Sequence, residues 1–327
     1  MDGLPFDLSK RIGEYTGCIF PTDPDVLLID YERLLEITIK RNKPGQLQVL
    51  LNIKQCTNVE AVTWAVENGH LKLLQLLIDA KCPIPPDAPI TSIYYGHSEA
   101  LQLLIGAGCL IDESDTRCAA YCGRVECLRL LIDAKCQIDA NTPEWPAFLG
   151  HVECLQLLVD AKCPLNAEIP KLAAESGHLQ CLKILFTANC PMNEDTQTAA
   201  AKEGHLECLR FLIDAKCEMD GYSLGMAAEN GHLECVQLLI AAKCPMDIYT
   251  PHGAAMAGNL ECLRLLIKAG CPIDADTALA AATGGQLECL QLLIQANCPM
   301  DENTILATKP HVECQQLIEM YLSNVRY

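Results

Sequence analysis

The chain has 327 residues, half of them hydrophobic and only 5% aromatic, with a formal net charge of −18 at pH 7. That length exceeds one ordinary compact core, so two domains or one elongated array are expected. The acidic balance argues against a nucleic-acid surface, which draws on clustered Lys and Arg, and suits a basic or neutral protein surface better. No run approaches the roughly 18–20 apolar residues of a membrane span. The opening MDGLPFDLSKRIGEYTG lacks the basic start and apolar stretch of a secretion signal. A cytoplasmic or nuclear, reducing location without membrane insertion is therefore expected.

Residues 1–30 form the first segment. Leu4-Pro5-Phe6-Asp7-Leu8, followed by Ile12 and Tyr15, resembles the start of an F-box, whose presence would imply recruitment of ubiquitin-ligase machinery. The motif is short, and Pro21 and Pro24 interrupt the helix that should follow. A plain N-terminal cap is the favoured alternative, and its Phe6, Tyr15 and Phe20 could fold over surfaces further along the chain.

From residue 57 a strict period takes over. Gly69, Gly96, Gly123, Gly150, Gly177, Gly204, Gly231, Gly258 and Gly285 stand every 27 residues, and so do nine cysteines from Cys82 to Cys298. A second cysteine series, from Cys127 to Cys289, keeps the same step. Residues 57–298 thus hold nine repeats without insertion, flanked by a degenerate repeat at 31–56 and a last one with a cap at 299–327.

Each repeat reads as two short helices. In the unit around Gly204, Thr196 is the expected N-cap, matched by Thr142, Ser223, Thr250 and Thr277. Pro89, Pro143, Pro170 and Pro251 follow in four units and suit a first helical turn. A small pair such as Ala200-Ala201 allows close helix approach, and Gly204 ends the helix at positive φ. The second helix is expected from about Leu206 to Lys216, with Glu207, Arg210 and Asp214 on one outer stripe. Cys217 and the turn after it are expected to end that helix, and prolines such as Pro191 and Pro245 stop its continuation elsewhere.

Segments such as AAESGHLQCLKILFTANCPMN (173–193) and AAENGHLECVQLLIAAKCPMD (227–247) resemble ankyrin repeats over about 270 residues. An ankyrin unit is about 33 residues long, so these are shorter, and the β-hairpin finger is what is missing. The resemblance implies an all-α, elongated solenoid of stacked helix-turn-helix units. It also implies a non-enzymatic scaffold that binds a protein partner through the concave face lined by the first helices. The second functional reading is a substrate-recognition subunit of a ubiquitin ligase, using the F-box-like start. No cofactor or metal is expected, and the chain alone is expected to be monomeric.

His-x-x-Cys recurs, as at His205/Cys208 and His232/Cys235, and could suggest a metal site. The structural reading is stronger: the His binds backbone in the inter-helix turn, and the Cys acts as a small hydrophobe. Equivalent cysteines of neighbouring repeats should stand about 10 Å apart, too far for disulfides. The repeats differ most in the first helix. Two residues before the anchor glycine, the column reads Glu67, Tyr94, Tyr121, Phe148, Glu175, Lys202, Glu229, Met256 and Thr283. Tyr94, Tyr121 and Phe148, with Tyr95 and Trp145, are the candidate partner-binding residues; space-filling between helices is the alternative use of these aromatics.

Overall fold

The computed structural model describes residues 31–53, 56 and 58–325, so the cap and F-box-like readings of residues 1–30 lie outside the described residues. The described chain is helical throughout, with no strand among the described residues. It divides into two compact units between Thr142 and Pro143.

The first unit holds α1 (Tyr31–Lys40), α2 (Pro44–Ile53), α3 (Glu60–Glu67), α4 (Leu71–Asp79), α5 (Ala88–Tyr95), α6 (Ser98–Gly106), α7 (Glu113–Tyr121) and α8 (Val125–Asp133). The second unit begins with α9 (Glu144–Leu149), α10 (Val152–Asp160), α11 (Glu168–Glu175), α12 (Leu179–Thr187), α13 (Glu194–Lys202), α14 (Leu206–Asp214) and α15 (Gly221–Glu229). It continues through α16 (Leu233–Ala241), α17 (Thr250–Ala257), α18 (Leu260–Lys268), α19 (Ala275–Thr283), α20 (Leu287–Gln295), α21 (Glu302–Ala307) and α22 (Val312–Val325). Odd-numbered helices are the first helices of the repeats and even-numbered ones the second. Within each unit every first helix packs on the next first helix, and every second helix on the next second helix.

The core explains this layering. From α8 to α20 the second helices bury a cysteine, the Leu or Val after it and a Leu one turn later, as Cys208, Leu209 and Leu212 do in α14, while α4 and α6 bury Leu73 and Ala100 at the cysteine's place. Most first helices bury a small pair, such as Ala227 and Ala228 in α15, with Ser92-Ile93 and Pro146-Ala147 as departures. Small side chains bring the first helices together, while leucines fill the wider space between the second helices.

The caps lie three residues before the expected Thr196, Ser223 and Thr277, whereas Thr142 and Thr250 miss the N-cap by one residue, Pro143 and Tyr249 holding it without a side-chain bond. Asp220, Asp274 and Asp301 are the N-caps, and their carboxylates accept the amides of Ser223 (3.0 Å), Thr277 (3.0 Å) and Thr304 (2.9 Å). Thr277 returns the bond by accepting the Asp274 amide at 3.3 Å, so it is the reciprocal partner in a capping box. Asn193 likewise precedes Thr196, which lies inside α13. A carboxylate two bonds from the backbone reaches the third amide of the helix, and the buried Thr or Ser fills the space beneath it.

The second helix also ends earlier than expected. Asp214 is the last residue of α14, and Lys216 adopts a left-handed conformation at φ 58°. The Cys217 amide then bonds the Leu212 carbonyl at 3.1 Å and the Lys216 amide bonds that of Ile213 at 3.0 Å. Lys81, Asn189 and Gly270 take the same place in other repeats. The helix is therefore stopped by a left-handed residue before the cysteine, with any proline coming afterwards.

Candidate functional site

In most repeats the backbone carbonyl two before the anchor glycine is held by the following repeat. His205 Nε2 donates to the Glu175 carbonyl at 2.9 Å, and His232 Nε2 to that of Lys202 at 2.8 Å. Where the histidine is replaced the bond persists. Arg124 Nη2 donates to the Tyr94 carbonyl at 2.9 Å, Asn259 Nδ2 to Glu229 at 2.6 Å and Gln286 Nε2 to Met256 at 3.2 Å. The position needs a donor able to reach back over the glycine, and imidazole is only its commonest form. That reach explains the anchor glycine twice over. Gly177 sits at φ +75°, and a Cβ there would stand 2.6 Å from His205 Nδ1.

This ladder fixes the backbone of a column whose side chains point outward. In the first unit Tyr94 is 62% exposed and Tyr121 49%, with Tyr95 also exposed. Tyr94 meets Tyr95 edge-on at 5.4 Å between ring centroids, and Tyr95 stacks on His97 at 6.3 Å. In the second unit Phe148 is 39% exposed, with Trp145 and Leu149 similarly open on α9. None of the five candidate residues belongs to the buried core.

A feature not anticipated from sequence lies in the second unit. Between α15 and α17 a cleft of about 330 Å³ is lined by Tyr222, Gly225, Met226, Glu229, Tyr249 and Gly253, among others. Tyr222 is 62% exposed and Tyr249 68%. They occupy the ninth place before the anchor glycine, where other repeats carry Glu60, Asp87, Glu168, Asp195 or Asp276. The same column comparison that picks out Tyr94 would have found them. The cleft's depth is less legible: Gly253 removes a side chain where a Cβ would stand 2.6 Å from that of Glu229. Beside the cleft, His252 pairs with Asp274 at 3.0 Å. Burial alone would raise the Asp274 pKa, but bonds from His252 and from the Thr277 amide and hydroxyl hold it below the usual carboxylate range.

The cysteines divide by task. Those of the second series lie inside the second helices, as Cys181, Cys208 and Cys235 do. Several of the first series close their repeat: Cys244 Sγ donates to the Asp220 carbonyl at 3.0 Å, and Cys298 Sγ to that of Asp274 at 3.0 Å. The described cysteines are free thiols, and burial pushes many of them up, Cys181, Cys208, Cys244 and Cys298 to about 11. Cys56 departs from the expected spacing. It lies one residue off the 27-residue series, and a hydrogen bond from the Cys82 thiol favours its ionised form and lowers its pKa. Among the described residues no three His, Cys, Asp or Glu side chains converge as metal ligands, and no helix is long and apolar enough to cross a membrane.

Residues 171–251 and 224–304 match the family model described as ankyrin repeats (3 copies). Among solved structures, the human ASB11 ankyrin repeat domain is similar at 22% identity, over 48% of this chain and 84% of that one, with a TM-score of 0.43. No curated protein matches the chain.

Proposed function

Because the chain belongs to the ankyrin-repeat family, whose general work is protein–protein interaction, we propose that it is a non-enzymatic scaffold that captures a protein partner on the exposed face of its first helices. The observation that carries this reading is the pinned column. The Tyr94 carbonyl, held by Arg124 of the next repeat, presents that ring in the first unit, where Tyr121 is also exposed, and α9 presents Trp145 and Phe148 in the second. Large aromatics on a rigid backbone lose little entropy on binding and are the usual anchors of interfaces. The sister repeats carry Glu175, Lys202 and Glu229 at the same place, so the fold itself does not demand an aromatic there.

The net charge of −18 supports a partner that is basic or neutral at its contact surface. The test is proximity labelling and pulldown with wild-type chain beside Tyr121→Ala and Phe148→Ala variants. Partners captured by wild type and lost by either variant, with circular dichroism unchanged, are the expected outcome. Equal capture by properly folded variants would remove these residues from the interface.

A further inference from the structure

We infer that the cleft between α15 and α17 is a pocket for a single arginine side chain, presented by an extended segment of a protein partner. The inference deepens the protein-binding reading, and it rests on residues separate from Tyr94, Tyr121 and Phe148.

Three observations converge on it. First, the cleft is built by exceptions to the repeat. Gly225 and Gly253 stand in the neighbouring first helices α15 and α17, where sister repeats carry side chains from Thr198 to Arg117 at the former place and from Ala199 to Trp64 at the latter. Removing side chains from both leaves about 330 Å³, room for one long side chain rather than a helix.

Second, the walls suit a planar cation. Tyr222 and Tyr249 remain exposed though no buried position requires them, and Met226 supplies a polarizable surface between. Aromatic rings attract a guanidinium through their faces, and Arg stacks better than Lys.

Third, the charge is complementary. Glu229 lines the cleft, and its side chain lies against Gly253. Its backbone carbonyl is held by Asn259 at 2.6 Å, which fixes the base from which the carboxylate projects. Asp247, also in the lining, uses one oxygen to cap Thr250 at 2.9 Å. Lys202 is paired with Glu203 at 3.1 Å, and His252, which also lines the cleft, is hydrogen-bonded to Asp274 at 3.0 Å. A carboxylate beside two tyrosines thus offers a guanidinium a forked hydrogen-bond acceptor and a stacking surface together.

The test is a titration of the full chain, labelled with ¹³C at its methionine methyls. The probes are N-acetyl-arginine amide and its lysine and citrulline counterparts. Met226 reports from the cleft, and Met300, packed against the core elsewhere, serves as the control. The arginine probe should shift Met226 saturably and leave Met300 still. Citrulline, the same shape without charge, should bind about tenfold more weakly, and lysine should also bind more weakly than arginine. Glu229→Gln should raise the apparent Kd about tenfold, and Tyr249→Ala by roughly three- to tenfold. The inference is overturned if citrulline or lysine matches arginine, if Glu229→Gln changes nothing, or if Met226 does not move at concentrations that saturate a site of ~10 mM. Capture through Tyr121 and Phe148 is measured separately, so either reading can fail while the other stands.

Discussion

The two helices of each repeat have been put to different tasks. The second helices are almost copies of one another. Leu179–Thr187, Leu206–Asp214 and Leu233–Ala241 each bury a cysteine, the apolar residue after it and a leucine one turn on. The first helices mostly share a small buried pair, while their outward positions range from Glu to Tyr to Gly. The stack is therefore held by residues that do not vary, and the varied surface is displayed on a backbone clamped from the next repeat. Such a division allows recognition to change without disturbing the fold.

The largest effect that should expose this division comes from alkali. Burial pushes the thiols of Cys181, Cys208, Cys235 and Cys289, all in second helices, up to about 11 from an ordinary 9. The folded chain holds these protons more tightly than the unfolded one. Stability is then complete below pH 9 and is lost as pH climbs through about 11. The urea midpoint should be flat between about pH 7 and 8 and fall steeply from pH 9 to 11. Cys208→Ala should make that fall shallower; an unchanged slope would show that this thiol does not contribute to it.

Next in size is the loss of packing. Leu182→Ala in α12 should cost about 3 kcal/mol in urea unfolding, because the side chain is fully buried. Gly177→Ala should cost about 2 kcal/mol, combining a left-handed backbone at φ +75° with the imidazole of His205 overhead. The double variant Gly177→Ala/His205→Ala should cost less than the sum of the two single variants, since the crowding is then gone while the φ strain and the lost Glu175 bond remain. Strict additivity would assign the whole cost of Gly177→Ala to φ.

Much of this organisation was legible in the sequence, because a period exposes whatever it conserves. The two-helix unit, the anchor glycine at positive φ and the small pair all follow from columns of identical or similar residues. What the columns did not disclose was direction. Thr277 and Asp274 both recur, and only the hydrogen bonds show that the acid caps the helix and the threonine answers it. Lys216 looked like the last residue of a charged helix face, and its φ of 58° shows it to be the terminator. At the candidate site, Tyr94 and Tyr121 were readable as departures from a polar column. Tyr222 and Tyr249 were equally readable, but their column had not been singled out. The cleft itself depends on how near α15 comes to α17, which no single column encodes.

Smaller effects sharpen the comparison further. Lys216→Gly should stabilise the chain by about 0.5–1 kcal/mol, since glycine takes the left-handed conformation without Cβ strain and the lost lysine charge is exposed. A change at the end of a second helix thus alters stability even where it touches no partner.

Tyr94→Ala should do the reverse. Its ring is exposed, and within the repeat it meets Tyr95 edge-on at 5.4 Å. The hydrogen bond at that position is donated by Arg124 to the backbone carbonyl, which alanine retains. The urea midpoint should therefore shift by less than about 0.5 kcal/mol equivalent, while partner capture by the first unit falls. A shift above about 1 kcal/mol would mean that the aromatic holds the repeats together. The exposed column would then belong to the stack as much as the leucines do, and the separation between holding helices and displaying helices would fail at the residue where it is clearest.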